Sequence, residues 1–358
     1  MDRKKKILIV CRSPENLVPS QRFRSELYTD LLQHNGFEVS YRYFFNKEGH
    51  EVIHEFGLWG KKIKALTGGF LRRISLLSEI KKYDYIFLQK AAAPLGPPLF
   101  EWLYARVLGG KLIYDFDDAI WLPHYSDPNR FARFFKKPWK VKHICKWAYK
   151  VSCGNEYLCA YARQFNKNVF YNPTCVDTDR QHNIIANQYV ERITIGWTGS
   201  FSTLEYLDSL QPVLKRLQDK YDFDIKIICN RKPELDLKNI IYVEWTEANE
   251  ITELASCQIG LMPLPDDEWA KGKCGFKLIQ YLALEIASVC SPTGVNKIIV
   301  QDGVNGFICN SDEDWYRGIE RLLLDPGLRK QMGSVGRKEI IEHYSLRSNA
   351  ANFLSLFS

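Results

Sequence analysis

The sequence contains no run approaching the roughly 20 continuous apolar residues that a membrane-crossing helix requires, so no span is expected. Its ten cysteines, from Cys11 to Cys309, include no CxxC pair and no accompanying histidine pattern. This argues against a zinc site and a disulfide framework and predicts reduced, mostly buried thiols. No internal repeat or low-complexity tract is present. The opening Met1-Asp2-Arg3-Lys4-Lys5-Lys6 runs at once into a strand from Ile7 to Cys11, too short and too β-branched for a signal peptide. Helix-turn-helix, zinc-finger and ribonucleoprotein aromatic signatures are missing too, which sets nucleic acid aside as a partner. These absences lead to the expectation of a cytoplasmic protein, free or resting on the inner face of the cell membrane.

What is present begins with length and charge. At 358 residues the chain is long enough for two domains of ordinary size. Residues 1–189 carry 30 Lys and Arg against 18 Asp and Glu, a surplus of 12 cations, whereas residues 190–345 carry 18 against 24, a surplus of 6 acids. The first half is therefore expected to face something anionic. Two segments concentrate that charge. Residues 58–82 place seven cations and one acid among Leu, Ile, Phe and Trp. Residues 130–150 interleave eight cations and six aromatics with no acid, among them Phe134, Phe135 and Trp139. Aromatic rings beside cations suit the headgroup layer of an anionic membrane, and reversible peripheral contact through both segments is expected.

The first half opens as a βαβ unit: an apolar strand Lys6–Cys11, an amphipathic helix from Gln21 to Asn35 closed by Gly36, and a second strand Glu38–Tyr43. Arg22 and Arg24 stand in the first turn of that helix, against its dipole, either to meet an anion or as solvated cations. Strands follow at Tyr85–Gln89 and from Lys111 to Tyr114, with a helix from Leu95 to Leu108 between them. Asp115, Asp117 and Asp118 come next, where the carboxyl edge of an open sheet bears ligand sites. Asp117 first and Asp118 second are candidate bases or hydrogen-bond acceptors for an incoming hydroxyl. A structural acidic turn is the other reading.

In the second half, a strand from Ile193 to Trp197 leads through Thr198-Gly199-Ser200-Phe201-Ser202-Thr203 to a helix. Asn230 and Trp245 end later strands, where a nucleotide base pocket is expected. From Leu261 to Phe307 a strand, a Pro- and Asp-rich loop, the turn Gly272-Lys273-Cys274-Gly275 and an apolar helix from Phe276 to Leu284 follow in order. This places the N–H groups of a helix start beside two lysines, a setting that attracts phosphate. A strand from Ala287 to Cys290, the turn Ser291 to Asn296 and the segment Asp302-Gly303-Val304-Asn305-Gly306-Phe307 complete the stretch.

That stretch resembles the donor-binding half of GT-B glycosyltransferases, in particular the large retaining family 4. The family's paired glutamates would fall near Gly272 and at Gln280, and neither position holds a carboxylate. Lys273 and Lys277 flank the turn instead, as in a subgroup of the family. The resemblance implies an α/β protein of two Rossmann-like domains facing across a cleft. Residues 1–185 would take the acceptor, residues 190–345 the nucleotide sugar, and 346–358 would form a helix crossing back. It implies metal-independent transfer of a sugar from a nucleotide diphosphate sugar, used as co-substrate with no cofactor, to a saccharide acceptor, with retention; the basic first half adds the expectation that this acceptor is lipid-linked, in cell-surface polysaccharide or glycolipid synthesis. Lys273 and Lys277 would neutralise the departing diphosphate. Gly199, Ser200, Thr203, Gly275, Phe276 and Asn296 would line the donor site, and Gln280 would meet a ribose diol. Arg22, Arg24 and Asp115 would lie on the acceptor side. The sequence Asp115-Phe116-Asp117 also spells a metal-binding DxD, but such a metal works with the donor half, about 150 residues further on. Two rival classes are a GT-B sugar-nucleotide 2-epimerase and a non-catalytic nucleotide-sugar or polyanion binder.

Overall fold

A computed structural model of the chain describes residues 3–55, 57–122 and 139–358. Residues 130–138 of the aromatic-basic segment, with Phe134 and Phe135, therefore lie outside the described residues. The chain divides into two compact units, one formed by residues up to Thr174 together with Ala350–Ser358, the other by Cys175–Asn349.

The strands of the first unit are β1 (Lys6–Cys11), β2 (Glu38–Tyr43), β3 (Tyr85–Gln89), β4 (Leu112–Phe116), β5 (Lys150–Cys153) and β6 (Val169–Tyr171). Those of the second are β7 (Thr194–Gly199), β8 (Asp224–Cys229), β9 (Ile240–Glu244), β10 (Ile259–Met262), β11 (Ala287–Cys290) and β12 (Gly306–Ile308). Each set forms a six-stranded sheet, ordered β2-β1-β3-β4-β5-β6 and β12-β11-β10-β7-β8-β9. Every strand pair is parallel. Both units are thus Rossmann-like α/β layers. Central strands covered on both faces explain the near-continuous apolar runs of β1, β3 and β4, whose residues are almost all buried. Each fully buried Ile, Leu or Phe there contributes about 1.5–3 kcal/mol of transfer free energy.

In both sheets the chain order reverses once. The reversal falls between β1 and β3 in the first sheet and between β7 and β10 in the second. Ligands of open α/β sheets bind outside the carboxyl ends of the strands at such a point. The fold therefore nominates two places, one per unit: the ends of β1 and β3, and the ends of β7 and β10.

Several elements differ from expectation for local reasons. The helix expected from Gln21 to Asn35 is three pieces, Pro19–Arg24, a 3-10 turn Glu26–Tyr28, and Thr29–His34. Ser25 breaks it with φ −137° and ψ −53°, and its Oγ donates to the Gln21 carbonyl at 2.8 Å. Gly36 ends the last piece at φ +82°, as the sequence suggests. The helix expected from Leu95 starts only at Leu99, after Pro97 and Pro98, and its last turn Leu103–Val107 is π-wound. β4 runs two residues beyond Tyr114, which places Asp115 inside the strand rather than at its end.

The C-terminal residues 350–358 belong to the first unit. Phe353 stacks on Tyr28 at 3.7 Å, and Phe357 meets Tyr85 edge-on at 5.7 Å. Lys150 Nζ donates to the Ser355 carbonyl at 2.7 Å. Among the described residues no helix is long and apolar enough to cross a membrane.

Candidate functional site

In the second unit, the floor of the nominated place is tied together by Tyr281, on the helix Phe276–Ala283. Its hydroxyl accepts from the Thr198 N–H at 3.2 Å and donates to the Leu261 carbonyl at 3.4 Å, joining β7 to β10. The ring is seated because β10 carries Gly260, where a Cβ would stand 2.5 Å from the Tyr281 ring.

The helix begins at Gly275, whose φ of +66° belongs to the left-handed region. A Cβ there would also lie 2.3 Å from Ile299 Cδ1. Glycine is therefore required twice over, and the helix start has no side-chain cap. The loop leading to it is pinned from the opposite side. Leu264 N–H donates to Ser291 Oγ at 2.9 Å, and Thr293 Oγ1 donates to the Pro265 carbonyl at 3.1 Å. Gly294, at φ +58°, lets the turn lie against the Lys271 backbone. Asn296 is fully buried and its Nδ2 donates to the Ser291 carbonyl at 3.1 Å.

Lys273 Nζ lies 5.3 Å from the ring centre of Trp269, and Lys277 Nζ lies 5.5 Å from that of Trp197 on β7. Lys277 also acts on Cys229 at the end of β8. Burial pushes that thiol up, while the main-chain N–H groups of Arg231 and Asn230 and the Lys277 ammonium pull against it. Lys277 thus reaches from the helix start across the ends of β7 and β8. Cation–π contact holds an ammonium in place without neutralising it. The two tryptophans are positioning partners that motif reading alone did not identify.

Around Gly199 the turn is closed by local contacts, and Ser200, Phe201 and Ser202 are exposed. A Cβ there would lie 2.6 Å from the Trp197 ring, and Thr203 Oγ1 donates to the Ser200 carbonyl at 2.9 Å. Asn230 Oδ1 accepts from the Phe201 N–H at 2.8 Å, so its carbonyl end serves the turn. Trp245 is half-buried, and its N–H donates to the Cys229 carbonyl at 3.0 Å. Gln280 is buried, and its Nε2 donates to Glu250 Oε1 at 2.8 Å. A carboxylate therefore stands behind Gln280 from a different helix, a neighbour the linear pattern did not reveal. Phe276 is half-buried on the first turn.

In the first unit, the nominated place joins Asp117 and Asp118, which the sequence singled out, to Lys90, which it did not. Lys90 directly follows β3 and takes a left-handed backbone, φ +59°. Its N–H donates to the Asp115 carbonyl at 2.8 Å, and its own carbonyl accepts from Tyr114 Oη at 2.9 Å. Held this way, its Nζ sits 2.8 Å from Asp117 Oδ1 and 2.8 Å from Asp118 Oδ2. Ser20 Oγ donates to Asp117 Oδ1 at 3.5 Å, and Gln89 Nε2 donates to the Ser20 carbonyl at 2.8 Å. Burial alone would pull the Lys90 ammonium down, but the Asp117 and Asp118 carboxylates outweigh it and hold it well above its ordinary value. A strained backbone carrying a two-pronged ion pair at a strand end marks a functional candidate.

Arg24 and Asp115 are brought together, but in the interior instead of on an accessible acceptor surface. Both side chains are fully buried, and Arg24 Nη2 pairs with Asp115 Oδ1. Arg24 Nε adds a bond of 3.1 Å to Asp115 Oδ2, and Ser152 Oγ donates to Asp115 Oδ1 at 2.6 Å. Burial pushes the Asp115 carboxyl up, and Arg24 and Ser152 pull it back. The helix begins at Pro19, so Arg22 and Arg24 fall in its last turn, where the dipole favours cations instead of opposing them, and the anion that Arg24 meets is this internal aspartate. Arg22 is also buried, with its guanidinium 5.0 Å from the Phe23 ring centre. No group of three or more metal-ligating side chains occurs among the described residues.

Comparison with known proteins bears on both units. Residues 192–325 match the family model for glycosyl transferases group 1. No curated protein matches the chain. Sucrose-phosphate synthase from Thermosynechococcus elongatus is similar in structure over 99% of this chain and 98% of its own, with a TM-score of 0.70 at 12% identity. A glycosyltransferase from Rickettsia africae ESF-5 has the same coverage and TM-score at 15% identity. HepE from Anabaena, in complex with UDP and glucose, is similar over 98% of each chain, with a TM-score of 0.66 at 12% identity.

Proposed function

Starting from a chain with the GT-B fold and a glycosyl transferases group 1 module in its second unit, we propose that it transfers a hexosyl unit from a nucleotide diphosphate sugar to a saccharide hydroxyl. Donor and acceptor are taken by different units: the second holds the nucleotide sugar, the first holds the acceptor. The observation that carries this is the helix start at Gly275, uncapped, left-handed and flanked by Lys273 and Lys277 poised on tryptophan rings.

Transfer breaks the bond between the anomeric carbon and the diphosphate oxygen and forms one to the acceptor oxygen. Negative charge grows on the departing diphosphate. Two ammonium groups and a row of N–H donors aimed at that charge lower the barrier without reorganising. They would supply the charge that a divalent cation supplies in metal-dependent transfer, and Asp115 and Asp117 each already pair with a protein cation. We therefore place the transfer among metal-independent reactions needing no resident cofactor. Asp117 accepts the hydrogen bond of the attacking hydroxyl, with Lys90 fixing its orientation. Anomeric retention is the outcome proposed from the family resemblance.

The acceptor is proposed to be lipid-linked, in cell-surface polysaccharide or glycolipid synthesis, with the protein resting on the inner face of the membrane. In support, the helix Trp59–Leu76 exposes Trp59, Ile63, Leu71 and Ile74 beside Lys61, Lys64 and Arg72. Phe70 packs near Phe100 at 6.2 Å, bringing in a second helix that exposes Leu99 and Trp102. Apolar side chains among cations on one unit suit an anionic headgroup layer.

A screen of nucleotide sugars against a lipid-linked saccharide pool, reading released nucleoside diphosphate and glycosylated product, tests the assignment. UDP-sugars come first, because HepE was crystallised with UDP and glucose. Diphosphate release coupled to new glycosylated product is expected. A rearranged nucleotide sugar formed without acceptor would point to an epimerase instead.

A further inference from the structure

The first unit contains a cavity of about 330 Å³ at the free edge of its sheet, lined by Tyr41, Arg42, Tyr43 and Asn46 of β2 and its exit and by Arg72, Arg73, Ser75 and Glu79 of the following helical segments, with Phe45 and Leu76 completing it. Small-ligand pockets begin at about this size, on the order of 300 Å³. β2 pairs only with β1, so its outer side is an unpaired strand edge. Glu38 and Phe44 donate their N–H groups to Lys5 and Cys11 on the β1 side. Alternation along a parallel strand then turns the main-chain groups of Tyr41 and Tyr43 outward, into the cavity, where the Tyr41 carbonyl accepts from Arg42 Nη1 at 3.0 Å. Their hydroxyls are engaged elsewhere, Tyr41 with Thr29 Oγ1 at 2.6 Å and Tyr43 with Glu15 Oε1 at 2.6 Å.

The remaining walls are rich in donors and poor in counter-charge. Three guanidinium groups face one carboxylate, Glu79, which is held by Arg42 Nη2 at 3.0 Å. Arg73 is fully buried, and its partners are all carbonyls: Ala92 at 2.7 Å, Arg42 at 3.1 Å and Cys11 at 2.6 Å. Arg72 donates through Nε and Nη2 to the Phe44 carbonyl, at 3.0 and 2.7 Å. Among the described residues no carboxylate lies within ion-pair distance of Arg72 or Arg73, although the buried Glu101 carboxylate acts on Arg73 from beyond that distance. Buried guanidinium charge is ordinarily balanced by a carboxylate or phosphate. Asn46 Oδ1 caps the helix Lys47–His54 by accepting from Gly49 N–H at 3.0 Å, which directs its amide group, a donor, away from that helix.

We propose that this cavity is a second binding site, for a sugar-sized oxyanion such as a hexose phosphate or a hexuronate. It lies in the first unit, whereas the donor lysines lie in the second. Its failure and the failure of the transferase reading are therefore separable. Arg72 and Arg42 contact the anion directly, and Arg73 sets the positive potential from behind while bracing the ends of β1 and β2.

Isothermal calorimetry without nucleotide tests the site on the full chain, using glucose 1-phosphate, glucuronate and neutral glucose as probes. Glucose 1-phosphate or glucuronate is expected to bind, weakening as salt rises, with glucose at least tenfold weaker. Arg72→Gln and Arg42→Gln, whose side chains reach solvent, are each expected to weaken the anion about tenfold or more, and the double variant to abolish measurable binding. UDP binding serves as the folding control and should remain unchanged in these variants. No heat with either anion at millimolar concentration, equal binding of neutral glucose, or anion affinity unchanged in the folded double variant would each overturn the proposal.

Discussion

Lys90 Nζ lies 2.8 Å from Asp117 Oδ1, and the backbone that delivers it there is left-handed, at φ +59°. A lysine accepts that conformation at a cost of order 1–3 kcal/mol, so the surrounding bonds must impose it. The result is an aspartate at a strand end, fixed by a cation and by Ser20.

Asp117→Asn is expected to leave nucleoside diphosphate binding within about twofold while cutting turnover by about a hundredfold or more, the scale of general acid–base assistance. Calorimetry reads the first quantity and product formation the second. Equal loss of both would make the cluster a structural turn. The pH dependence has a definite sign. Lys90 is raised in the fold, so its stabilising pair is complete below the unfolded lysine value of about 10.4 and is lost as pH rises through the folded value. The stability difference between wild type and Lys90→Met should hold constant from pH 7 to 9 and shrink only above that value.

For Lys277→Ala, a charge-assisted phosphate contact worth roughly 1.5–3 kcal/mol predicts a ten- to hundredfold loss in nucleoside diphosphate affinity or turnover. Lys273→Ala should act in the same direction. Because Lys277 rests on Trp197, which is buried, the variant should keep the wild-type melting temperature to within a few degrees. Unchanged kinetics in a folded Lys277→Ala protein would remove the site from the mechanism.

Much of this arrangement is legible in the sequence. The apolar runs of β1, β3 and β11 and the strand-loop-helix around Gly275 follow from periodicity and turn chemistry, because buried parallel strands leave little choice of residue. Pairings across the fold are a different matter. Nothing in the linear pattern joins Arg24 to Asp115, Lys90 to Asp117 or Gln280 to Glu250, since each contact depends on strand order. Lys90 was invisible for a further reason: its role rests on a backbone conformation that lysine seldom takes. Asp115 was displaced from the acceptor side by two residues of extra strand, enough to bury it.

Asp115→Asn separates an internal ion pair from a substrate or metal contact. Removing one partner of a buried pair costs about 3–5 kcal/mol, so a clear drop in melting temperature is expected. Chelation with EDTA should leave turnover of the wild-type protein largely intact. If Asp115→Asn kept full stability and wild-type turnover were strictly dependent on Mn²⁺ or Mg²⁺, Asp115 and Asp117 would be metal ligands instead.

The last expectation concerns where the protein works. On the helix Trp59–Leu76, Trp59 is 71% exposed and Ile63 is 62% exposed, a poor arrangement for a surface that meets only water. Each lysine or arginine near an anionic bilayer contributes about 1 kcal/mol. Three or four from this helix, with Trp59 and Ile63 inserted, would support reversible attachment. Screening acts within a Debye length of about 8 Å at physiological salt, so added salt should release most of the protein from vesicles. The residue pair and the cations make distinguishable contributions in flotation with anionic and neutral liposomes. Trp59→Ala with Ile63→Ser should lower binding at every salt concentration, whereas Lys61→Gln with Lys64→Gln should lower it at low salt only. Wild-type protein that floats with neither liposome, or with both regardless of salt, would leave the basic unit to a soluble anionic acceptor and remove the support for a lipid-linked one.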